Sequence, residues 1–366
     1  MKDFKDSSYL EMAYGLAEKA KGWARPNPYV GAVIVHKEKI VGYGYHERPG
    51  KPHAEVIALD RAGSQARGST LYLTLEPCVH WGRTPPCVEA VLRAAPKKVV
   101  VSSPDPNPIV FKKGIKALRA AGIDVSVGLL EEKNKILNET YIKYITRGIP
   151  FVTVKAAISL DGRMATKTFD SRWISSPETR EYVHLVRGEY DAIMVGINTI
   201  LKDDPLLTAR HSCWRGKKIT RVILDSDLRF PLEARILSTL GEGEIAIFTS
   251  KRASPKKTDA LRKKGAEVVQ VPGSARKIEV KEVLSRLGEK GLASLLVEGG
   301  SRLLTTILEE KLADKLFLTI SPRLIGGERA PSFFEGKGIR LIKESWELRK
   351  ISSFKTGRDI IVEGYF

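Results

Sequence analysis

The order of helix and strand signals constrains this chain most, because the signals alternate through two blocks with a break between them. The break is the run Arg147-Gly148-Ile149-Pro150, in which a glycine and a proline end a helical pattern. The chain has 366 residues, which leaves room for two domains. Helices that alternate with strands imply sheets covered by helices. We therefore predict one α/β domain over residues 1–147 and a second over residues 148–366.

The first block begins with apolar residues at helical spacing, which predict a helix from Tyr9 to Ala20. Further helices are predicted after His53, after Pro85-Pro86, at Gly114–Ala121 and at Glu131–Thr146, with strands at Tyr29–Val35, Lys39–Tyr45, Ser69–Leu75, Lys98–Ser102 and Ile123–Val127. In the second block, strands are predicted at Phe151–Ile158, Ala192–Val195, Arg221–Leu224, Ile245–Phe248 and Ser294–Val297, with a helix at Pro177–Arg187. Two C-terminal strands, Leu316–Ile320 and Asp359–Phe366, are expected to pair antiparallel.

The formal net charge of +18 comes from Lys and Arg residues that are spread along the whole chain. The densest groups, Lys256-Lys257 and Arg262-Lys263-Lys264, are interpreted as a solvated helix face, so the charge attracts anionic substrates but does not indicate a nucleic-acid protein. The chain lacks an apolar run long enough for a membrane helix. Its polar first eight residues do not resemble a secretory signal, so we predict a cytoplasmic location.

The strongest local signal is His53-Ala54-Glu55, followed by Glu76-Pro77-Cys78 and then by Cys87. Zinc prefers imidazole and thiolate ligands, and a catalytic zinc site uses three of them with the fourth position left to water. We predict that His53, Cys78 and Cys87 bind Zn²⁺ and that Glu55 carries a proton from the water to a leaving amine, as in the zinc deaminases. Cys213 lies outside every motif.

Between the two cysteine ligands lies an eight-residue segment, Val79 to Pro86, which is polar and rich in turn residues. We expect it to lie beside the metal and to contact the substrate. The two prolines before Cys87 suit entry into a helix, where the helix dipole would stabilise a thiolate.

Two alternatives to a small-molecule deaminase stay open at this stage. A zinc deaminase acting on tRNA or other nucleic acid would share this chemistry, although the long cysteine gap and the large second domain argue against it. A non-catalytic protein could instead hold a structural zinc, with His46 or His80 as a fourth protein ligand.

Several motifs of the first block closely resemble the bacterial riboflavin-biosynthesis bifunctional deaminase-reductase. They are Asn27-Pro28-Tyr29-Val30-Gly31, the zinc motifs with the segment ending Thr84-Pro85-Pro86-Cys87, and Asp105-Pro106-Asn107-Pro108. The resemblance implies a cytidine-deaminase-like α/β/α domain whose substrate is a diaminopyrimidinone with a phosphoribosylamino group. It also implies that Asn27 and His46 contact the pyrimidine, and that His80 and Arg83 lie at the substrate mouth, with Arg83 a candidate for the phosphate. Lys112 departs from the family pattern, which usually has glycine there.

The second block lacks both the G-x-G-x-x-G fingerprint and a P-loop lysine motif, so a Rossmann domain is not supported. It contains instead the run Val297-Glu298-Gly299-Gly300-Ser301-Arg302 between a strand and a helix. Glycines before a helix N-terminus suit a phosphate, although a plain strand-to-helix turn would have the same pattern.

Three further runs resemble the reductase half of the same family, whose fold is similar to dihydrofolate reductase. They are Lys155 to Arg163, Arg172 to Pro177 and Asn198 to Thr208. The resemblance implies hydride transfer from NADPH to the anomeric carbon of the sugar. It assigns the reductase substrate to Ile158, Ser171, Arg187, Leu207, Arg210 and Glu298. It assigns NADPH to Trp173, Thr199, Asp203, Ser226, Gly299, Gly300, Ser301, Arg302, Leu303, Leu304, Thr305 and Thr306.

Lys155 and Asp203 are the candidates for polar assistance at the reacting carbon. Simpler roles stay open for three residues of this set: Trp173 as a core residue, Asp203 in a helix-ending turn, and Arg187 as a cation near a helix C-terminus. The expected ligands are thus Zn²⁺, NADPH and phosphorylated pyrimidines, without nucleic acid or membrane, and the family resemblance suggests a homo-oligomer. The resemblance implies that deamination precedes reduction.

Overall fold

The computed structural model describes residues 2–274 and 277–366, and the chain divides into two compact units, Met1–Gly148 and Ile149–Phe366. The division falls within the run 147–150. In the part of the chain that the structure describes, no helix combines the length and apolar character needed to cross a bilayer.

The N-terminal unit contains six helices and five strands among its described residues. The helices are α1 (Lys2–Glu18), α2 (Ala54–Ala62), α3 (Cys87–Ala94), α4 (Lys113–Ala120), α5 (Glu131–Leu137) and α6 (Glu139–Arg147). The strands are β1 (Gly31–His36), β2 (Lys39–Tyr45), β3 (Thr70–Leu73), β4 (Lys98–Val101) and β5 (Asp124–Val127). The predicted helix starts after His53 and after Pro86 are confirmed.

One mixed sheet of order β2-β1-β3-β4-β5 forms the centre of this unit. The β1 strand pairs antiparallel with β2 and β3, whereas β3, β4 and β5 are parallel. The largest apolar cluster packs one face of the sheet against helices and includes Ile34, Leu71 and Val99. Because β3 and β4 are parallel neighbours, the segments that follow them start at the same edge of the sheet.

The helix predicted over Glu131–Thr146 is wrong as a single element, because it is interrupted at Asn138. This residue leaves helical geometry (φ −106°, ψ 20°), and its buried side chain binds the backbone of Tyr29. The Tyr29 N–H donates to Oδ1 at 2.7 Å, and Nδ2 donates to the Tyr29 carbonyl at 3.1 Å. A contact across 109 residues therefore interrupts a helix that local periodicity predicts as continuous.

Lys112, the departure from the family pattern, adopts a left-handed conformation with φ 60°. Glycine reaches this region without steric cost, which explains its usual presence there. The buried carboxylate of Glu76 holds the turn, because it accepts the backbone N–H groups of Lys112 (2.9 Å), Ile115 (3.0 Å) and Asp105 (3.1 Å). Charge-assisted bonds of this kind are strong enough to hold a non-glycine residue in a strained turn.

The C-terminal unit contains eleven strands and five helices among its described residues. The strands are β6 (Phe151–Ser159), β7 (Ala192–Gly196), β8 (Thr220–Leu224), β9 (Ile245–Thr249), β10 (Glu267–Gln270), β11 (Gly273–Ser274), β12 (Lys277–Ile278), β13 (Ser294–Val297), β14 (Lys315–Ser321), β15 (Arg349–Thr356) and β16 (Asp359–Tyr365). The helices are α7 (Pro177–Gly188), α8 (Ile197–Asp203), α9 (Pro255–Lys263), α10 (Val280–Glu289) and α11 (Ser301–Glu309).

Nine of these strands form a single sheet of order β10-β9-β8-β7-β13-β6-β14-β16-β15. The first seven strands in this order are parallel to one another. The antiparallel pairing predicted for the C-terminal strands is confirmed by β14 and β16. The sequence did not predict β15, which is almost entirely exposed and lacks a buried alternating face. Because β13 lies between β6 and β7, chain connections leave in opposite directions here, the arrangement that opens a ligand crevice at the carboxyl ends of strands.

We predict that Lys112→Gly stabilises the N-terminal unit. Removing Cβ from a left-handed residue relieves about 1 kcal/mol, which corresponds to a rise of about 2–4 °C in the unfolding midpoint of a domain this size. Thermal unfolding followed by circular dichroism measures it. The control is Lys112→Ala, which removes the same charge but keeps Cβ and should bring no rise; a lower midpoint for the glycine variant would contradict the prediction.

Candidate active sites

The N-terminal unit brings His53, Cys78 and Cys87 together from three segments. His53 immediately precedes α2, Cys78 follows β3, and Cys87 is the first residue of α3. Their ligand atoms all lie within 4.8 Å of one another, and His53 Nδ1 is 3.0 Å from Cys87 Sγ and 3.7 Å from Cys78 Sγ. One imidazole nitrogen and two sulfurs are a donor set that zinc prefers, and three protein ligands leave a position for water.

The environment of the two sulfurs favours a thiolate. The Cys87 thiol donates a hydrogen bond to the sulfur of Cys78. This bond lowers the pKa of Cys78 to about 4 and raises the pKa of Cys87. The backbone N–H of Cys87, at the start of α3, also donates to Cys78 Sγ at 3.3 Å. A pair that already holds one negative charge suits a divalent cation, which would take up both sulfurs as thiolates.

Glu55 lies in the first turn of α2 and is buried, with 3% of its surface exposed. Burial raises the pKa of this carboxyl group to about 7, against the opposing charge of His53. Its Oε2 atom has no hydrogen-bond partner among the residues that the structure describes. A carboxyl group with a pKa near neutrality and a free oxygen can both accept and donate a proton at pH 7.

A cavity of about 380 Å³ opens beside these groups. It is lined by His53, Glu55 and Cys78, and also by all four residues predicted for the deaminase substrate, Asn27, His46, His80 and Arg83. The segment between the cysteines contributes Gly82 and Thr84 as well, so the structure places it beside the three candidate zinc ligands.

Two of the predicted substrate residues hold one another in place. His46 Nδ1 donates to the Pro52 carbonyl (3.2 Å), which leaves Nε2 to accept from the Asn27 amide (2.9 Å). Burial lowers the pKa of His46, in agreement with this neutral form. The exposed Arg83, by contrast, has no acidic partner among the described residues, so its charge is available to an anion.

Sequence reasoning assigned no individual role to Asp105, Asn107 or Tyr141, which also line the cavity. The buried Asp105 accepts the hydroxyl of Tyr141 (2.8 Å) and the backbone N–H of Asn107 (2.9 Å). Burial raises its pKa to about 6. The Asp105-Pro106-Asn107-Pro108 motif marked this loop, but nothing local could indicate that α6 brings Tyr141 to it.

In the C-terminal unit, Glu298 is the centre of a buried charge cluster. It follows β13 directly and accepts two hydrogen bonds from Arg187 of α7, from Nε at 2.7 Å and from Nη2 at 2.8 Å. Lys155 of β6 lies 3.9 Å from the same carboxylate. The simplest interpretation of Arg187 was a cation near a helix C-terminus. The structure shows that its side chain also forms an ion pair with Glu298, 111 residues away.

The cluster has more positive than negative charge. Burial opposes the ionisation of Glu298, but the charges of Arg187 and Lys155 outweigh it and lower its pKa to about 2. Burial lowers the pKa of Lys155, and Glu298 opposes that shift. One carboxylate thus serves two cations, which leaves the site attractive to an anion.

A histidine that sequence reasoning missed lies beside this cluster. His184 precedes Arg187 by three residues on α7, and its Nε2 is 3.0 Å from the guanidinium of Arg210. Burial and the charges of Arg187 and Arg210 lower the pKa of His184 to about 4, so the ring is neutral at pH 7. In this neutral form Nε2 can accept a hydrogen bond from the guanidinium of the exposed Arg210, whose backbone N–H also lies 3.4 Å from Nδ1.

The remaining predicted residues of this unit occupy several environments. Ile158 and Leu207 are buried, Ser171 and Thr199 are half-buried, and the Ser226 carbonyl accepts from Ser250 Oγ at 2.7 Å. Trp173 is 61% exposed and stacks on Arg180, which rules out the core alternative. Asp203 ends α8 and accepts Arg172 through its carbonyl (2.7 Å), so the helix-ending turn is present.

The glycine run before α11 leaves its backbone accessible. No atom lies within 4 Å of the position that a Cβ would take at Gly300, whereas at Gly299 a Cβ would meet Leu303 at 2.9 Å. Within the helix, Leu304 and Thr305 face inward and Ser301 donates to the Ser332 carbonyl (2.6 Å), whereas Arg302 is exposed. An uncovered backbone at a helix N-terminus suits the phosphates of a dinucleotide.

Comparisons with known proteins agree with these two sites. Residues 4–103 match the family described as the cytidine and deoxycytidylate deaminase zinc-binding region, and residues 150–362 match the RibD C-terminal domain. The riboflavin biosynthesis protein RibD of Aquifex aeolicus is 44% identical over 357 residues, which cover 98% of this chain and 97% of that protein. This chain belongs to the RibD family. The RibD of Escherichia coli K12 is 37% identical and covers 88% of this chain and 89% of its own.

Solved structures of RibD proteins are also similar. Acinetobacter baumannii RibD superposes with a TM-score of 0.89 at 33% identity, covering 100% of this chain and 99% of that one. A diaminohydroxyphosphoribosylaminopyrimidine deaminase/5-amino-6-(5-phosphoribosylamino)uracil reductase from Thermotoga maritima has a TM-score of 0.86 at 32% identity, with coverage of 100% and 99%.

Membership in the RibD family confirms the predicted fold class, a cytidine-deaminase-like domain and a RibD reductase domain, and the prediction of a bifunctional riboflavin-biosynthesis enzyme with Zn²⁺ and NADPH as cofactors. It does not favour the nucleic-acid or the non-catalytic alternative.

We predict that Cys78→Ala and Cys87→Ala each lose zinc, because two ligands hold it too weakly to survive purification. Elemental analysis of the purified protein measures the number of zinc ions per chain. We expect about one for the wild-type protein and well below one for either variant. Cys213→Ala is the matched control, since that thiol is exposed and far along the sequence from the motifs. Full zinc content in the Cys78 or Cys87 variant would contradict the assignment.

Proposed function

We propose that residues 1–147 hydrolytically deaminate a diaminohydroxyphosphoribosylaminopyrimidine and that residues 148–366 then reduce its ribosyl group to ribityl with NADPH. The Thermotoga relative is named for these two activities. The observation that carries the proposal is the pairing of a His-Cys-Cys cluster and a buried glutamate on one cavity with an anion-attracting cluster at a strand edge of the C-terminal unit.

In the deamination, His53, Cys78 and Cys87 hold the zinc, which when bound acts as a Lewis acid that activates water near neutral pH. Glu55 accepts a proton from the attacking water and passes it to the departing nitrogen. The water oxygen bonds to the ring carbon, the carbon–nitrogen bond breaks, and ammonia leaves. The pKa of Glu55, about 7, suits both halves of this proton transfer.

Recognition of the pyrimidine falls to Asn27 and His46, and recognition of the ribose phosphate to His80 and Arg83. The neutral His46, which lines the cavity, holds the Asn27 amide in a fixed orientation. The free guanidinium of Arg83 suits a phosphate, which it can bind through two parallel hydrogen bonds.

In the reduction, NADPH when bound supplies a hydride to the anomeric carbon. The bond between that carbon and the ring oxygen breaks, and the oxygen takes a proton. Lys155 and Asp203 are the candidates to assist there, and burial lowers the pKa of Lys155 in the direction that favours proton donation. Arg187 and Arg210 bind the phosphosugar, while Ile158, Ser171, Leu207 and Glu298 complete its contacts.

For NADPH we propose the run from Gly299 to Thr306 as the phosphate site, which the phosphates would approach at the uncovered Gly300 and Arg302, with Trp173, Thr199, Asp203 and Ser226 as further contacts. The order of the two steps, the homo-oligomeric state, the absence of nucleic-acid substrates and the cytoplasmic location stay predictions. An oligonucleotide deamination assay on the purified protein tests the nucleic-acid alternative directly.

Two variants separate the activities. Glu55→Gln preserves the shape of the side chain but removes its proton transfer, so ammonia release should fall by about 10²–10⁴-fold. NADPH oxidation with the already deaminated pyrimidine should stay at the wild-type rate. In Lys155→Met, NADPH oxidation with the deaminated pyrimidine should fall, while ammonia release should stay at the wild-type rate. Loss of both activities in the correctly folded Glu55→Gln protein would contradict the division of labour, and failure of the wild-type protein to release ammonia would remove the pyrimidine assignment.

A second prediction concerns His184. The Gln side chain can place an acceptor near the position of Nε2, whereas Asn reaches only to the position of Nδ1. His184→Asn should therefore raise the KM for the phosphorylated substrate in the reductase step about tenfold, the effect of losing about 1.4 kcal/mol from one charge-assisted hydrogen bond. His184→Gln should stay close to wild type, and kcat should change little in either. An equal rise in KM for both variants would show that His184 does not act through Arg210.

A further inference from the structure

The orientation of the His53 ring identifies the atom that faces the metal. Both sulfurs of the cluster lie close to Nδ1, at 3.0 Å for Cys87 and 3.7 Å for Cys78. A ligand nitrogen must present its lone pair to the cation. In the metal-binding form of His53 the ring proton therefore resides on the other nitrogen, Nε2.

A hydroxyl group lies at the position where that proton must point. Thr84 Oγ1 is 3.3 Å from His53 Nε2 and can accept a hydrogen bond from it. Histidines that bind metals usually donate their second ring N–H to such a partner, which sets both the tautomer and the ring orientation. The sequence predicted substrate contact for the segment that contains Thr84, but not the contact between Thr84 and His53.

The local structure holds Thr84 in this place. It lies three residues before the ligand Cys87, in the eight-residue segment between the two cysteines. The backbone N–H of Gly82 donates to the Thr84 carbonyl at 3.2 Å, which closes a tight turn. Its side chain is half-buried beside the cavity, so the hydrogen bond is partly protected from competing water.

We propose that Thr84 is a positioning residue for the zinc site: its hydroxyl oxygen accepts the Nε2–H of His53 and holds the imidazole with Nδ1 toward the metal. The inference rests on the proposed role of His53 as a zinc ligand. The segment between the two cysteines would then have two roles. It places Arg83 at the cavity, and through Thr84 it orients His53.

Two substitutions separate the hydroxyl from the shape of the side chain. Thr84→Val has nearly the same volume without the hydroxyl, and Thr84→Ser keeps the hydroxyl without the methyl group. Zinc affinity of the full-length protein is measured by competition with a chelator of known affinity. We expect Thr84→Val to bind zinc about 10–100-fold more weakly than wild type and Thr84→Ser to stay within about threefold.

Cobalt substitution supplies a readout that does not depend on turnover. The visible absorption of Co²⁺ reports on the geometry of its ligands, so the Thr84→Val spectrum should change while the Thr84→Ser spectrum matches wild type. Unchanged zinc affinity and an unchanged cobalt spectrum in Thr84→Val would overturn the proposal, as would an equal loss in both variants. A Thr84→Val protein with normal zinc affinity but a raised KM would assign the hydroxyl to the substrate instead. A wild-type protein that binds no zinc would refute the zinc site itself, a separate outcome.

Discussion

Both candidate sites depend on the geometry of parallel strands, which deliver the segments that follow them to the same edge of a sheet. In the N-terminal unit, β3 leads to Cys78 and its parallel neighbour β4 leads to Asp105. The carboxylate of Glu76 joins the two segments by accepting three backbone N–H groups from the second. In the C-terminal unit, β13 leads to Glu298. The parallel neighbour β6 pairs Val154 with Val297, the last residue of β13, so Lys155 lies level with Glu298. The carboxyl ends of β3 and β13 thus deliver Cys78 and Glu298 to the two sites.

The two units handle charge differently, in ways that match their proposed reactions. In the first, burial shifts the pKa values of groups near the candidate ligands: it lowers that of His46, which favours the neutral ring, and it raises those of Glu55 and Asp105 to about 7 and 6. Such groups exchange protons near neutral pH, as hydrolysis requires. In the second, a single carboxylate serves two cations, and Arg210 rests on a neutral imidazole. The excess positive charge suits a substrate and a cofactor that both carry phosphate.

Much of this could be predicted from the sequence, because few residue types bind zinc and their motifs are local. The His-x-Glu pair, the two cysteines and the helix starts beside them follow from rules that span a few residues. Features that depend on distant contacts could not be predicted. Asn138 interrupts a helix through Tyr29, Tyr141 reaches Asp105 from 36 residues away, and Thr84 meets His53 from 31 residues away. Asn, Tyr, Thr and His have many structural roles, so residue type alone indicated neither His184 as part of a site nor the contact of Thr84 with His53.

The central claim is that zinc chemistry belongs to the first reaction and not to the second. The most direct measurement removes zinc from the wild-type protein with a chelator and follows both steps, ammonia release from the diaminopyrimidine and NADPH oxidation with the deaminated pyrimidine. The account predicts that ammonia release falls in proportion to the zinc lost and returns when zinc is restored, while NADPH oxidation stays unchanged throughout. Ammonia release that persists without zinc, or NADPH oxidation that falls with it while the protein stays folded, would contradict the account.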